Sequence, residues 1–217
     1  MSSKEFFYLI APVSALSGCL GLLGGLIKIK HLSYLPTWGL ILSFCALLSD
    51  QMSQYQSFHG LSNYTIINTY AVAQATLIPF LFYKMIHARS MKLIFWILVL
   101  LTLITISLAI NDFQLWDSTF NNKLLWRSHA ILGGFCLFYF LDKLLEDKIT
   151  PLFKDPNWWM SVGLLLYATG TFLFFFTLDA LAKNEELFFT LLVLNCFLTI
   201  NKNTLIAYMI WKSPKTS

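Results

Sequence analysis

The sequence predicts an all-α fold: a polytopic membrane protein, a seven-transmembrane-helix bundle with its N-terminus outside and its C-terminus cytoplasmic. Three observations predict it. Of 217 residues, 57% are hydrophobic and only 12% charged, with a mean hydropathy of +0.66, which leaves too few charges to cover a water-soluble globule of this size. The apolar stretches recur at the roughly 20-residue length that crosses a bilayer core about 30 Å thick, with short polar breaks between them. Lys and Arg are distributed unequally between the two sets of breaks.

Taken in order, the spans are expected at 6–27, 34–50, 64–86, 91–110, 124–145, 158–179 and 186–211, each bounded by charges, Asn, Gly or Pro. They take up most of residues 1–217 as a single transmembrane domain and leave no room for a separate soluble catalytic or DNA-binding domain. In the first span Gly18, Gly21, Gly24 and Gly25 make a smooth helix face for close packing. Leu16-Ser17-Gly18-Cys19 fits a lipoprotein cleavage pattern, but apolar sequence continues from Leu20 to Ile27 where a polar tether belongs, so a retained helix is expected. The second span is short and ends at Asp50; the seventh is long. Pro12 and Pro79 each remove a backbone donor inside a span, so the first and third helices are expected to kink, a defect neighbouring helices absorb.

Orientation follows from the basic residues. With the N-terminus outside, Lys28, Lys30, Lys84, Arg89, Lys92, Lys143, Lys148, Lys154, Lys212 and Lys215 fall on the cytoplasmic side, against Lys4, Lys123, Arg127 and Lys183 on the other. Ten against four satisfies the positive-inside rule. The net charge of +4 is thus topology and headgroup contact, and no nucleic-acid partner is implied. Trp38, Trp126, Trp158, Trp159 and Trp211 stand near span ends as interfacial anchors.

Polar groups inside spans are costly, so they are the functional pointers. Asn195, Thr199 and Lys202 are spaced i, i+4, i+7 on one face of the last span. Lys202 lies nine residues, roughly 13 Å of rise, before Trp211, deep enough to need a partner. Asn63, Ile67, Tyr70 and Gln74 share a face of the third span, with Asn68 beside it, and His129 and Tyr167 come from the fifth and sixth. The ligand-binding candidates are therefore Lys202, Asn195, Thr199, Asn68, Tyr70, Gln74, His129 and Tyr167. Asp50 and Asp179 are read as interfacial on the external side, which weakens both as partners for Lys202. Asp142, Glu146, Asp147 and Asp155 alternate with Lys143, Lys148 and Lys154, the pattern of a solvated helix end.

Specific chemistries are weighed against these residues. A lysine in the seventh helix is where microbial rhodopsins form their Schiff base, but the third span has no carboxylate counterion and Leu198 stands four residues before Lys202 where those pigments have aspartate. His31, His59, His87 and His129 are scattered over loops and span ends, so no three are expected to converge on a metal. Cys19, Cys45, Cys136 and Cys196 all fall within spans and none forms a Cys-x-x-Cys, so they read as small buried hydrophobes. No catalytic residue, metal or cofactor is assigned. Seven spans also fit two parallel three-helix repeats joined by a linker helix, the plan of small solute carriers. Asn68 and Gln74 are six apart, as are Asn195 and Asn201, a faint internal echo.

Asn68-Thr69-Tyr70 with Gln74 following, Asp155-Pro156-Asn157-Trp158-Trp159 running into Gly163 and Leu166-Tyr167-Ala168-Thr169-Gly170, and the Asn-rich stretch Asn195 to Asn203 resemble an uncharacterised family of seven-helix membrane proteins found mainly in Bacteroidota. That family tends to have Glu where Gln74 stands. The resemblance implies an inner-membrane location and, because such proteins accompany sensor kinases, a signalling association. The functional expectation is a non-enzymatic membrane protein with a receptor-like or accessory role. It binds a small ligand or lipid in an intrabundle polar pocket and is read by a cytoplasmic or membrane protein partner. The alternatives are a small-solute transporter and a structural subunit of a membrane complex.

Overall fold

A computed structural model describes residues 2–28, 34–86, 91–111, 122–145, 152–178 and 184–213. Seven long helices run through them: α1 (Ser3–Lys28), α2 (Tyr34–Phe58), α3 (Tyr64–Tyr83), α4 (Met91–Asn111), α5 (Asn122–Leu144), α6 (Pro156–Phe176) and α7 (Glu185–Lys212), with one 3₁₀ turn, Leu152–Lys154. Two starts carry clear capping chemistry. The Asp155 carboxylate accepts from Asn157 N–H with Pro156 at the first helical position, and the Asn184 side chain accepts from Leu187 N–H. Both α1 and α3 remain helical through Pro12 and Pro79.

The helices form a ring in the order α1, α2, α3, α5, α6, α7, closed by α7 packing along α1. Helix α4 lies outside, against α3 and α5. Side-chain pairings give the directions. Ser3 meets Thr190 and Lys4 meets Glu185 at one end, while Lys28 reaches the Trp211 and Ser213 carbonyls at the other, so α1 and α7 run parallel. Gln54 donates to Ala11 O, and a Cβ on Gly25 would strike Leu40, so α2 runs back along α1. The end holding Ser3 and Glu185 is called below the N-terminal end of the bundle, the other the C-terminal end.

Six of these helices, all but α2, are long and apolar enough to cross a membrane. Their outward faces agree with lipid as solvent. Leu9, Val13, Leu16, Leu20, Leu23 and Ile27 form an exposed stripe on α1, while Ser14, Ser17, Gly18, Gly21, Gly24 and Gly25 face inward. Leucine outside and small residues inside is the pattern of close helix packing in a bilayer, where apolar surface gains nothing by hiding from hydrocarbon. The glycine face does what its residues suggest. Added Cβ atoms would lie 3.3 Å from Leu47 at Gly18 and 2.8 Å from the Ser43 hydroxyl at Gly21, and inside the Trp211 indole at Gly24.

Helix α2 departs from its expected length. It continues eight residues beyond Asp50, roughly 12 Å of rise, through Gln51-Met52-Ser53-Gln54-Tyr55-Gln56-Ser57-Phe58. Those residues are too polar to read as a span, but they have partners. Gln54 bonds α1, and Asn63 Nδ2 donates to the Ser53 and Ser57 hydroxyls at 2.7 and 3.0 Å.

Candidate functional site

Two layers occupy the interior. Toward the C-terminal end lies an apolar plug in which Ile78, Leu81 and Phe82 of α3, Leu132, Phe135 and Tyr139 of α5, Met160 and Leu164 of α6, and Ile206, Met209 and Ile210 of α7 are at most 1% exposed. Aromatic contacts knit it, with the Phe82 and Phe135 ring centroids 5.9 Å apart and Phe95 of α4 edge-on to Phe135 at 5.6 Å.

Immediately on the N-terminal side of the plug is a polar layer to which each ring helix contributes. Lys202 of α7 is 4% exposed, and its Nζ lies 4.1 Å from the centre of the Tyr167 ring of α6. This close cation–π contact in a desolvated setting contributes about 2 kcal/mol. Lys side chains lean toward the start of their helix, which carries this ammonium up into the layer. The Tyr167 hydroxyl stands 3.4 Å from His129 Nε2. His129 Nδ1 is 2.8 Å from the Leu125 carbonyl oxygen, so in the neutral ring Nδ1–H donates there and Nε2 accepts from Tyr167. One turn along α6, Thr171 Oγ1 donates to Asn195 Oδ1 of α7 at 2.7 Å. On α1, Ser17 accepts from Asn203 Nδ2 at 2.8 Å and passes its own hydrogen to Ser14 O at 2.6 Å, while Ser14 donates to Cys196 O.

Asp50 of α2 completes the layer. It is partly buried, and its carboxylate lies within electrostatic range of Lys202, Tyr70, Tyr167 and Cys196. Its pairing with Lys202 is looser than a direct salt bridge: among the described residues the one ion pair is Lys4–Glu185 at 2.8 Å. The expectation that Asp50 forms no strong salt bridge with Lys202 thus agrees with the geometry, while its interfacial placement is revised. The helix continues two turns past Asp50, whose carboxylate lies within electrostatic range of the buried amine.

The sequence candidates divide. Lys202, Tyr167, His129 and Tyr70 converge at the centre, and Asn195 joins through Thr171. Gln74 is 2% exposed, and neither its Oε1 nor the buried Tyr70 hydroxyl has a hydrogen-bond partner among the described residues. Asn68 is fully buried on the same helix. Thr199 spends its hydroxyl on Asn195 O at 2.9 Å, a helix-internal bond that makes it scaffold. His129 is not at a span end. It sits seven residues into α5 and is 3% exposed.

Asp142 is corrected as well: it is fully buried, not on a solvated helix end. Leu132, Phe135, Tyr139 and Asp142 follow i, i+3, i+7, i+10, so the carboxylate shares the plug-facing side of α5. Asp155 has a structural task, capping α6 and accepting from the Tyr139 hydroxyl at 3.3 Å. Glu146, Asp147, Asp179, His31 and His87 lie outside the described residues. All four cysteines are free thiols. Among the described residues no three His, Cys, Asp or Glu side chains gather as metal ligands would.

Six apolar helices, lipid-like outer faces and a buried charged layer define an all-helical, multi-pass membrane protein. No protein-family model, curated protein or solved structure matches the chain.

Proposed function

We propose that the protein is a non-enzymatic receptor-like component of a bacterial inner membrane. All seven helices cross, α2 included, with the N-terminus outside and the C-terminus cytoplasmic. In this reading the polar layer binds a small polar ligand, and a change in helix packing is passed to a cytoplasmic or membrane partner such as a sensor kinase. Lys202 and the Tyr70 hydroxyl supply donors, the Gln74 carbonyl and Asp50 acceptors. Buried polar atoms without partners each cost about 1–3 kcal/mol, so Tyr70 and Gln74 are groups a ligand or water would relieve.

The observation that carries the reading is the apolar plug on the C-terminal side of the polar layer. Fully buried side chains from four ring helices separate the polar layer from the C-terminal end, whereas a receptor needs its pocket open to one side only. A second reading, a small-solute carrier, is favoured by the ring order: α1-α2-α3 and α5-α6-α7 are consecutive trios, and α4 stands outside as a linker would.

Impermeant thiol labelling separates the two. With the four native cysteines replaced by Ala, Gln74→Cys in oriented proteoliposomes is expected to react from the N-terminal side alone. Labelling from both sides, or solute accumulation dependent on Lys202 and Asn195, defeats the receptor reading. Tyr83→Cys, exposed at the C-terminal end, reports the orientation.

A further inference from the structure

Where α3 ends and α4 begins, Tyr83, Lys84, Ile86, Lys92, Phe95 and Trp96 line a groove of about 330 Å³ at the C-terminal end of the bundle. Lys84 is the C-cap of α3, and Lys92 is the second residue of α4. Both are exposed, and among the described residues neither forms an ion pair. Lys84 Nζ has only distant ring partners, 6.0 Å from Tyr34 and 5.8 Å from Tyr83, at the limit of useful cation–π attraction. Two cations thus flank an aromatic-walled recess, with no protein anion paired to either among the described residues.

The surface beside the recess is apolar and continuous. Leaving Lys92 along α4, Trp96, Leu100 and Leu103 follow i, i+4, i+7 and are 57–58% exposed. A recess of this size is at the small end of ligand pockets, roughly 300–1,000 Å³, enough for a headgroup but not for acyl chains. The stripe supplies what the recess lacks.

We infer that this groove is a binding site for an anionic glycerophospholipid, its phosphodiester held between Lys84 and Lys92, its glycerol against Tyr83 and Trp96, and one acyl chain lying along Trp96, Leu100 and Leu103. Charge sets the class: a zwitterionic headgroup would bring its own cation against two lysines. The apolar stripe sets the source, since free phosphate has no use for it. Basic recesses between helices at the headgroup level recognise lipids in this manner.

The test is native mass spectrometry of the full chain in neutral detergent, titrated separately with phosphatidylglycerol, phosphatidylcholine and inorganic phosphate. Wild type is expected to retain one phosphatidylglycerol in preference to phosphatidylcholine. Each lysine near the surface contributes roughly fivefold in affinity, so Lys84→Gln/Lys92→Gln should lose roughly 25-fold. Lys212→Gln, an exposed lysine on α7, should lose none. Because both groove lysines are exposed, the double variant is expected to stay folded, and an unchanged unfolding temperature checks this. Equal retention of the two lipids, an unaltered double variant, a matching loss in Lys212→Gln, or competition by inorganic phosphate at lipid-like concentrations would each overturn the proposal.

Discussion

Replacing Lys202 by Met tests whether the buried amine and Asp50 work as a pair. Methionine has a similar reach and no charge, so the variant removes the ammonium while largely refilling its space. Two interactions go. The contact with the Tyr167 ring at 4.1 Å is worth about 2 kcal/mol in this setting. The attraction to Asp50 is bounded, since unit charges 4 Å apart at an effective dielectric of 20 attract by about 4 kcal/mol and this pair is further apart than that. Asp50 is only partly buried, which lowers the value further. Against these stands the desolvation of the ammonium, which the Met variant no longer bears. The single variants Lys202→Met and Asp50→Asn are each expected to lose about 1–3 kcal/mol. The double variant should lose less than their sum by about 1–2 kcal/mol, the coupling expected of groups in one network. Thermal unfolding in detergent reads this as a recovery of roughly 2–8 °C in the double variant relative to additivity. Losses that add to within about 0.5 kcal/mol would refute the pairing and return Lys202 to the scaffold.

Tyr167→Phe keeps the ring beneath Lys202 and removes only the hydroxyl near His129, so it should unfold within about 1 kcal/mol of wild type, whereas Tyr167→Leu should lose about 2 kcal/mol more; equal effects in a melting experiment would deny the ring contact. Gly163→Ala is expected to be worse than Gly170→Ala, although the nearest atom is closer at Gly170. The contact there is Leu198 Cδ1, the far end of a flexible side chain, while Gly163 would press on Leu205 Cβ at 3.1 Å as well as Cδ1 at 2.8 Å. Overpacking of this kind costs about 1–3 kcal/mol, so a lower melting temperature for Gly170→Ala than for Gly163→Ala would be the contrary result. Asn203→Ala, which breaks the 2.8 Å bond to Ser17 between α7 and α1, should cost about 0.6 to 1.7 kcal/mol, with Ser17→Ala adding little to it in the double variant.

Much of the bundle was legible because hydrocarbon is a blunt solvent. Any run of about 20 apolar residues has few other uses, and the glycine face of α1 speaks through the absence of side chains rather than through their partners. The end of α2 and Asp142 depart from the sequence reading for different reasons. Hydropathy reads what a residue is and not what it meets, so α2 looked finished at Asp50. Its polar tail finds partners in Ala11 and Asn63, contacts that come from outside the helix. Ending the helix there puts Asp50 at an interface, whereas its carboxylate lies within electrostatic range of Lys202. Asp142 is a different case, because its i, i+3, i+7, i+10 relation to Leu132, Phe135 and Tyr139 is present in the sequence, beside lysines that give the stretch the pattern of a solvated helix end.

The same two layers limit how such a bundle can respond to a ligand. Opening the plug means exposing side chains that are now fully buried, at roughly 1.5–3 kcal/mol for each large apolar one brought into water, so freeing even four of them costs roughly 6–12 kcal/mol. A ligand shifts a conformational balance only by its differential affinity, and about 5.5 kcal/mol of difference is needed to invert a 1:99 ratio. Binding in the polar layer is therefore far better matched to a movement that leaves the plug intact. Pro79 stands where the two layers meet on α3. It withdraws a donor from the Ala75 carbonyl, while Ile78, Leu81 and Phe82 around it are anchored in the plug, Gln74 lies about one and a half turns before it and Tyr70 about two and a half. On the proposed receptor reading, the segment of α3 before the proline is the part expected to tilt about a fixed base, moving the two side chains with unanswered polar atoms while the packing below them stays closed.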